Sequence, residues 1–148
     1  MSAVACDLDE TVVTTRAALR FAYAAAGVQW EPTTRPWQEW CTAKQHDVKG
    51  QYYPEAVARY ARVLPIGRYA DANDWLILTG ASAGAVDTLR RMLGLRLRHC
   101  ITGLTIDQKI AAIRAHNVRL YFDDDSETVK RINLEVKECC AILIQWPR

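Results

Sequence analysis

The sequence predicts an α/β protein: a three-layer α/β/α sandwich on a central parallel sheet, with a small helical cap inserted after the first strand. Three observations carry this expectation. Five short segments, residues 3–6, 75–79, 99–102, 118–122 and 141–145, are apolar on both faces, as strands of a covered parallel sheet are. Helical patterns fill the intervals between the later strands, the alternation that right-handed crossovers need. The interval 11–73, between the first two strands, is too long and too aromatic to be a simple crossover.

The first strand, "AVAC", is followed by a predicted helix over 14–26, "TRAALRFAYAAAG", which Gly27 closes. Then come Trp30, Trp37 and Trp40, the loop "KQHDVKGQYYP", and a predicted helix over 54–64 that Pro65 and Gly67 terminate. These segments form the cap, an insertion at about 14–73 within a single domain of 1–148, without an independent core. After the second strand, "AVDTLRRMLG" puts Val86, Leu89, Met92 and Leu93 on one side and stops at Gly94. "TIDQKIAAIRAHN" opens on a capping Thr105 and sets Ile106, Ile110 and Ile113 at i, i+4 and i+7. "SETVKRINLEV" follows the fourth strand, with Ser126 as its expected cap.

At 148 residues the chain is long enough for one sizeable core. Half of its residues are hydrophobic and 24% are charged, which excludes a disordered tail. A net charge of +2 favours neither a nucleic-acid binder nor a membrane-surface protein. No apolar run reaches the roughly 18 to 20 residues of a membrane span. The N-terminal stretch has no basic flank leading into a signal-like apolar region, so a cytoplasmic location is expected, with no membrane partner. The five cysteines, Cys6, Cys41, Cys100, Cys139 and Cys140, lack zinc-ligand spacing and read as buried free thiols. Oligomeric state is not legible.

The chemistry lies at the carboxyl ends of the predicted strands. The first gives Asp7 and Asp9, the second Thr79 and Gly80, and the fourth Asp123, Asp124 and Asp125, while Lys109 opens the helix before the fourth. In an open parallel sheet these ends converge on one crevice. Several carboxylates in one crevice repel each other unless a cation intervenes, and an oxygen-only set suits Mg²⁺. With Lys109 adding positive charge, the remaining space suits an anionic phosphoryl group, to which Thr79 and the Gly80 N–H would donate.

"DLDET" at 7–11, "LILTG" at 76–80, Lys109 and "LYFDDD" at 120–125 together resemble the four motifs of the haloacid dehalogenase (HAD) superfamily, in its order and over nearly the whole chain. The resemblance implies a phosphatase in which Asp7 attacks phosphorus to form an aspartyl-phosphate. Asp9 would serve as general acid and base and bind the metal through its backbone carbonyl. Asp124 would ligate Mg²⁺ directly and Asp123 directly or through water, leaving Asp125 to cap the next helix. Lys109 would steady the phosphoryl charge. Glu10 departs from the pattern, which has Gly there, and adds negative charge near an anionic substrate.

A bacterial receiver domain combines similar residues, but its acids, Thr and Lys come in a different order. The C-terminal stretch resembles the 5′-nucleotidase branch; with the aromatic cap (Trp30, Trp37, Trp40, Tyr52, Tyr53) it makes a nucleotide or similar small phosphorylated metabolite the first expected substrate. The second is a polynucleotide 3′-phosphate, for which the run Arg90, Arg91, Arg96, Arg98 and His99 would matter if it reached the cap's rim. Otherwise that run is a solvated face. His46 and Lys49 are candidates for a substrate anion. A third reading, of a different class, is a catalytically weak member that binds a phosphorylated ligand or a partner protein.

Overall fold

In the computed structural model, residues 3–27 and 51–146 are described. Five parallel strands form the sheet: β1 (Val4–Cys6), β4 (Leu76–Leu78), β5 (His99–Ile101), β6 (Leu120–Asp123) and β7 (Cys140–Leu143). Their spatial order is β5-β4-β1-β6-β7, so the chain starts in the middle of the sheet. Cys6 lies between Ile77 on one side and Phe122 on the other, which brings the ends of β1, β4 and β6 level.

Strand alternation divides the core in two. Cys6 and Ile77 face a cluster with α1 (Arg16–Ala25), the helix over 51–60, called α2, and α4 (Ala83–Leu93). Ala5, Leu76, Leu78 and Tyr121 face the other cluster, with α5 (Ile106–Ala115) and α6 (Ser126–Glu135). Every second residue of β1 and β6 thus points to the α5–α6 side, and continuing the period sends Asp7 and Asp123 there too.

The helix starts follow their capping chemistry. Thr105 and Gln108 form a reciprocal capping box on α5. For α6 the cap is Asp125, as the family resemblance implies, and not Ser126, as the helix pattern alone suggests: the Asp125 carboxylate accepts from Thr128 N–H and Thr128 Oγ1. Asp accepts at this position as well as Ser does, so the cap shifts by one residue.

The expected helix over 54–64 is corrected at both ends. Residues 51–60 are helical, and Arg62–Val63 is a strand, β3, paired antiparallel with β2 (Val13–Thr14). Pro65 and Gly67, read as terminators, instead begin α3 (Pro65–Ala72), with Pro65 in its first turn, where a missing N–H costs nothing. Gly67 packs on the loop after β1: a Cβ there would lie 2.1 Å from the Val12 carbonyl oxygen.

Of the aromatics expected in a cap, Tyr53 is buried in the core and Tyr52 packs against it. Trp30, Trp37 and Trp40, with Cys41, His46 and Lys49, lie outside the described residues. Cys6 and Cys139 are buried free thiols, whereas Cys100 is half-buried and Cys140 is exposed at the sheet's edge. The basic run is occupied locally. Arg90 pairs with Asp87 and donates to the Arg96 and Leu97 carbonyls, while Arg96 and Arg98 pair with Asp74. No helix among the described residues is long and apolar enough to cross a membrane.

Candidate active site

Asp7 and Asp123 come together because β1 and β6 are hydrogen-bonded neighbours that end level, the Asp7 N–H donating to the Phe122 carbonyl at 2.9 Å. Lys109 reaches them from the first turns of α5. Its Nζ donates to Asp7 Oδ1 at 3.0 Å and to Asp123 Oδ2 at 3.4 Å, with all three side chains nearly sealed from solvent. Asp124 completes the group: carboxylate oxygens of Asp7, Asp123 and Asp124 all lie within 4.8 Å of one another.

Three carboxylates and one ammonium leave this buried cluster short of positive charge. Burial pushes the Asp7 carboxyl well above its ordinary range; Lys109 opposes the shift and Asp123 and Asp9 add to it. Burial and the charge of Asp123 raise Asp124 to about 7. On Lys109, burial works to lower the pKa, but Asp7 and Asp123 outweigh it and hold the ammonium above its usual value. Protons or a cation relieve such repulsion. A hard divalent ion fits this donor set, which among the described residues is all oxygen.

The two members of the acid pair differ in what their oxygens do. Both Asp123 oxygens are already engaged, Oδ2 by the Tyr121 hydroxyl at 2.7 Å and by Lys109, and Oδ1 by the Asp125 N–H at 3.0 Å. Sequence reasoning missed Tyr121. The signal was its spacing, two residues before Asp123 on one strand, which puts both on one face.

Asp9 stands apart from the three acids. Its Oδ1 accepts from Thr15 Oγ1 at 2.7 Å, beside the start of α1. Glu10, between the motif acids and that helix, adopts φ 62, a left-handed conformation costing a side-chain-bearing residue roughly 1–2 kcal/mol. Its Oε1 accepts the N–H groups of Thr15 and Arg16 at 3.1 and 2.8 Å. These bonds offset the strain and tie the charge to the positive end of α1. The expectation of a glutamate crowding an anionic substrate thus has a local counterweight.

Thr79 follows β4, the other neighbour of β1. It is fully buried, and its Oγ1 accepts from Ala81 N–H at 3.0 Å, leaving its own hydroxyl proton to donate elsewhere. Gly80 is exposed beside it, and a Cβ there would sit 3.2 Å from the Leu104 carbonyl oxygen.

No protein-family model matches the sequence, and a search of curated proteins gives no match. Two solved structures are similar. CbbY from Rhodobacter sphaeroides, in complex with phosphate, aligns over 98% of this chain and 87% of its own, with TM-score 0.60 and 17% identity. A HAD family hydrolase from Deinococcus radiodurans R1, with bound phosphate and sodium, aligns over 95% and 78%, with TM-score 0.56 and 16% identity. By the order of its strands and by this likeness over nearly its whole length, the chain has the fold of the HAD hydrolases.

Proposed function

We propose that the protein is a Mg²⁺-dependent phosphatase that hydrolyses a phosphate monoester through an aspartyl-phosphate on Asp7. The observation that carries this reading is the buried Lys109–Asp7 contact of 3.0 Å with Asp123 and Asp124 gathered around it. That both similar structures hold phosphate supports the substrate class.

An Asp7 oxygen attacks phosphorus as the bond from phosphorus to the ester oxygen breaks, and Asp9 gives its proton to the departing alcohol. Asp9 then takes a proton from water, whose oxygen attacks the phosphorus, releasing inorganic phosphate and restoring the Asp7 carboxylate. Thr15, bonded to Asp9 Oδ1, orients that carboxyl. Lys109 holds the Asp7 carboxylate in line and shares the phosphoryl charge, with the Thr79 hydroxyl and the Gly80 N–H as further donors. Asp7, Asp124 and the Asp9 carbonyl would hold Mg²⁺, with Asp123, its oxygens occupied, acting through water. The bound ion supplies charge stabilisation to the phosphoryl oxygens.

Nucleotides are the first substrates to try. The polynucleotide-end reading draws no support from the part of the basic run formed by Arg90, Arg96 and Arg98, which Asp87 and Asp74 engage. Release of inorganic phosphate from an aryl phosphate and a nucleotide panel tests the proposal. Release that needs Mg²⁺, stops with EDTA and is abolished in Asp7→Asn is expected. Equal release from Asp7→Asn would overturn the assigned nucleophile, and no Mg²⁺-dependent release from any ester would favour the ligand-binding reading.

A further inference from the structure

Two neighbouring cavities lie near the start of α1, and the first of them reaches Asp124 of the acid cluster. One, of about 360 Å³, is lined by Glu10, Asp124 and the segment 144–146 after β7. The other, of about 390 Å³, is lined by Thr14, Arg16, Arg20, Tyr60 and Trp146, and the two share Glu10 and Trp146. A chamber with two arginines and two aromatic rings thus lies on the far side of Glu10 and Trp146 from the cavity that Asp124 lines.

Arg16 and Arg20 stand four residues apart on α1, so their side chains share one face of the helix. No hydrogen bond or ion pair engages either guanidinium among the described residues, unlike those of Arg90, Arg96 and Arg131. Two like charges side by side without a carboxylate partner repel each other, and an anion between them would offset that repulsion with directed, charge-assisted hydrogen bonds. Glu10 also lines the chamber, and its Oε1 accepts from the Thr15 and Arg16 backbone N–H groups. Tyr60 and Trp146 give the chamber apolar walls, suited to the body of a small organic group and not to a bare ion.

We propose that the chamber lined by Arg16, Arg20, Tyr60 and Trp146 is a leaving-group subsite, selecting phosphate monoesters whose alcohol carries a second anionic group, a phosphate or a carboxylate. The inference rests on the phosphatase reading above and adds the substrate class. The reacting phosphoryl lies at Asp7, the second anion lies between the two guanidiniums, and the carbon skeleton runs past Glu10 and Trp146.

The test compares kcat/KM for three matched series of increasing chain length: alkyl phosphates, α,ω-alkanediol bisphosphates and ω-carboxyalkyl phosphates. At the length that spans the two sites, wild type should prefer a dianionic ester over its alkyl counterpart by about tenfold or more, as a charge-assisted contact gives. The bisphosphate and carboxylate arms show which anion fits. In Arg16→Gln and Arg20→Gln the preference should fall towards unity, mainly through KM. No preference at any length, or a preference untouched in both variants, would overturn the subsite. If no ester is hydrolysed, the phosphatase reading fails on its own, and the same series read by titration calorimetry still decides the subsite: a Kd preference for the dianion lost in both variants upholds it, and equal Kd values overturn it.

Discussion

Replacing Lys109 with Met removes the ammonium that lies 3.0 Å from Asp7 and 3.4 Å from Asp123 and keeps the bulk of the side chain. Removing one partner of a buried charge pair costs about 3–5 kcal/mol, because the remaining charge is left uncompensated. Here the survivors are carboxylates that can take up protons, so the cost must depend on pH. Asp7 is already raised by burial, and losing Lys109 removes the main opposing influence, so its folded pKa rises further. An acid with a folded pKa above its unfolded value near 3.9 binds more protons when folded, so stability falls as pH rises through that interval. Lys109 itself, raised in the fold, contributes stability that persists until pH passes its folded value, above the ordinary 10.5. The loss in Lys109→Met should thus be smaller near pH 5 than near pH 8 and grow towards the limit of about 3–5 kcal/mol as pH rises. Urea denaturation of both proteins at the two pH values measures it, and Asp7→Asn combined with Lys109→Met should recover part of the loss at pH 8. Equal destabilisation at both pH values, or less than about 1 kcal/mol at pH 8, would refute the charge argument.

Tyr121→Phe deletes one hydrogen bond to Asp123 and leaves the ring in place. A bond to a charged acceptor is worth about 1.5–3 kcal/mol, and loss of such an outer partner weakens metal affinity about tenfold or more. The Mg²⁺ concentration for half-maximal phosphate release should rise accordingly, and an unchanged value would dismiss Tyr121 as an orienting group. Gly67→Ala would bring a methyl within 2.1 Å of the Val12 carbonyl oxygen, which also accepts the Leu64 N–H at 2.8 Å. Displacing α3 costs about 1–3 kcal/mol by overpacking plus about 1 kcal/mol for that bond, against about 1 kcal/mol gained in helix propensity. Thermal unfolding should show a clear loss, and a stabilised variant would contradict the close approach.

The sheet and the meeting of Asp7, Asp123 and Asp124 can be read from local sequence pattern, whereas the position of Asp9 apart from them cannot. Buried parallel strands are apolar on both faces, and strand ends in one sheet meet at one edge, so Asp7, Lys109, Asp123 and Asp124 were legible as a cluster before any coordinates. Local chemistry also fixed the start of α5, where Thr105 and Gln108 cap each other within one turn. Only the tertiary structure decided what depends on contacts far apart in the chain. Gly67 reads as a helix breaker until the Val12 backbone is seen against it, and Arg62–Val63 is a strand because Val13–Thr14 lies alongside it. Glu10 reads as misplaced charge until its bonds to the start of α1 appear, and Tyr121 as one more apolar strand residue until its hydroxyl meets Asp123. Periodicity and local capping are written in neighbouring residues, whereas close approach and buried hydrogen bonds arise only when distant segments pack.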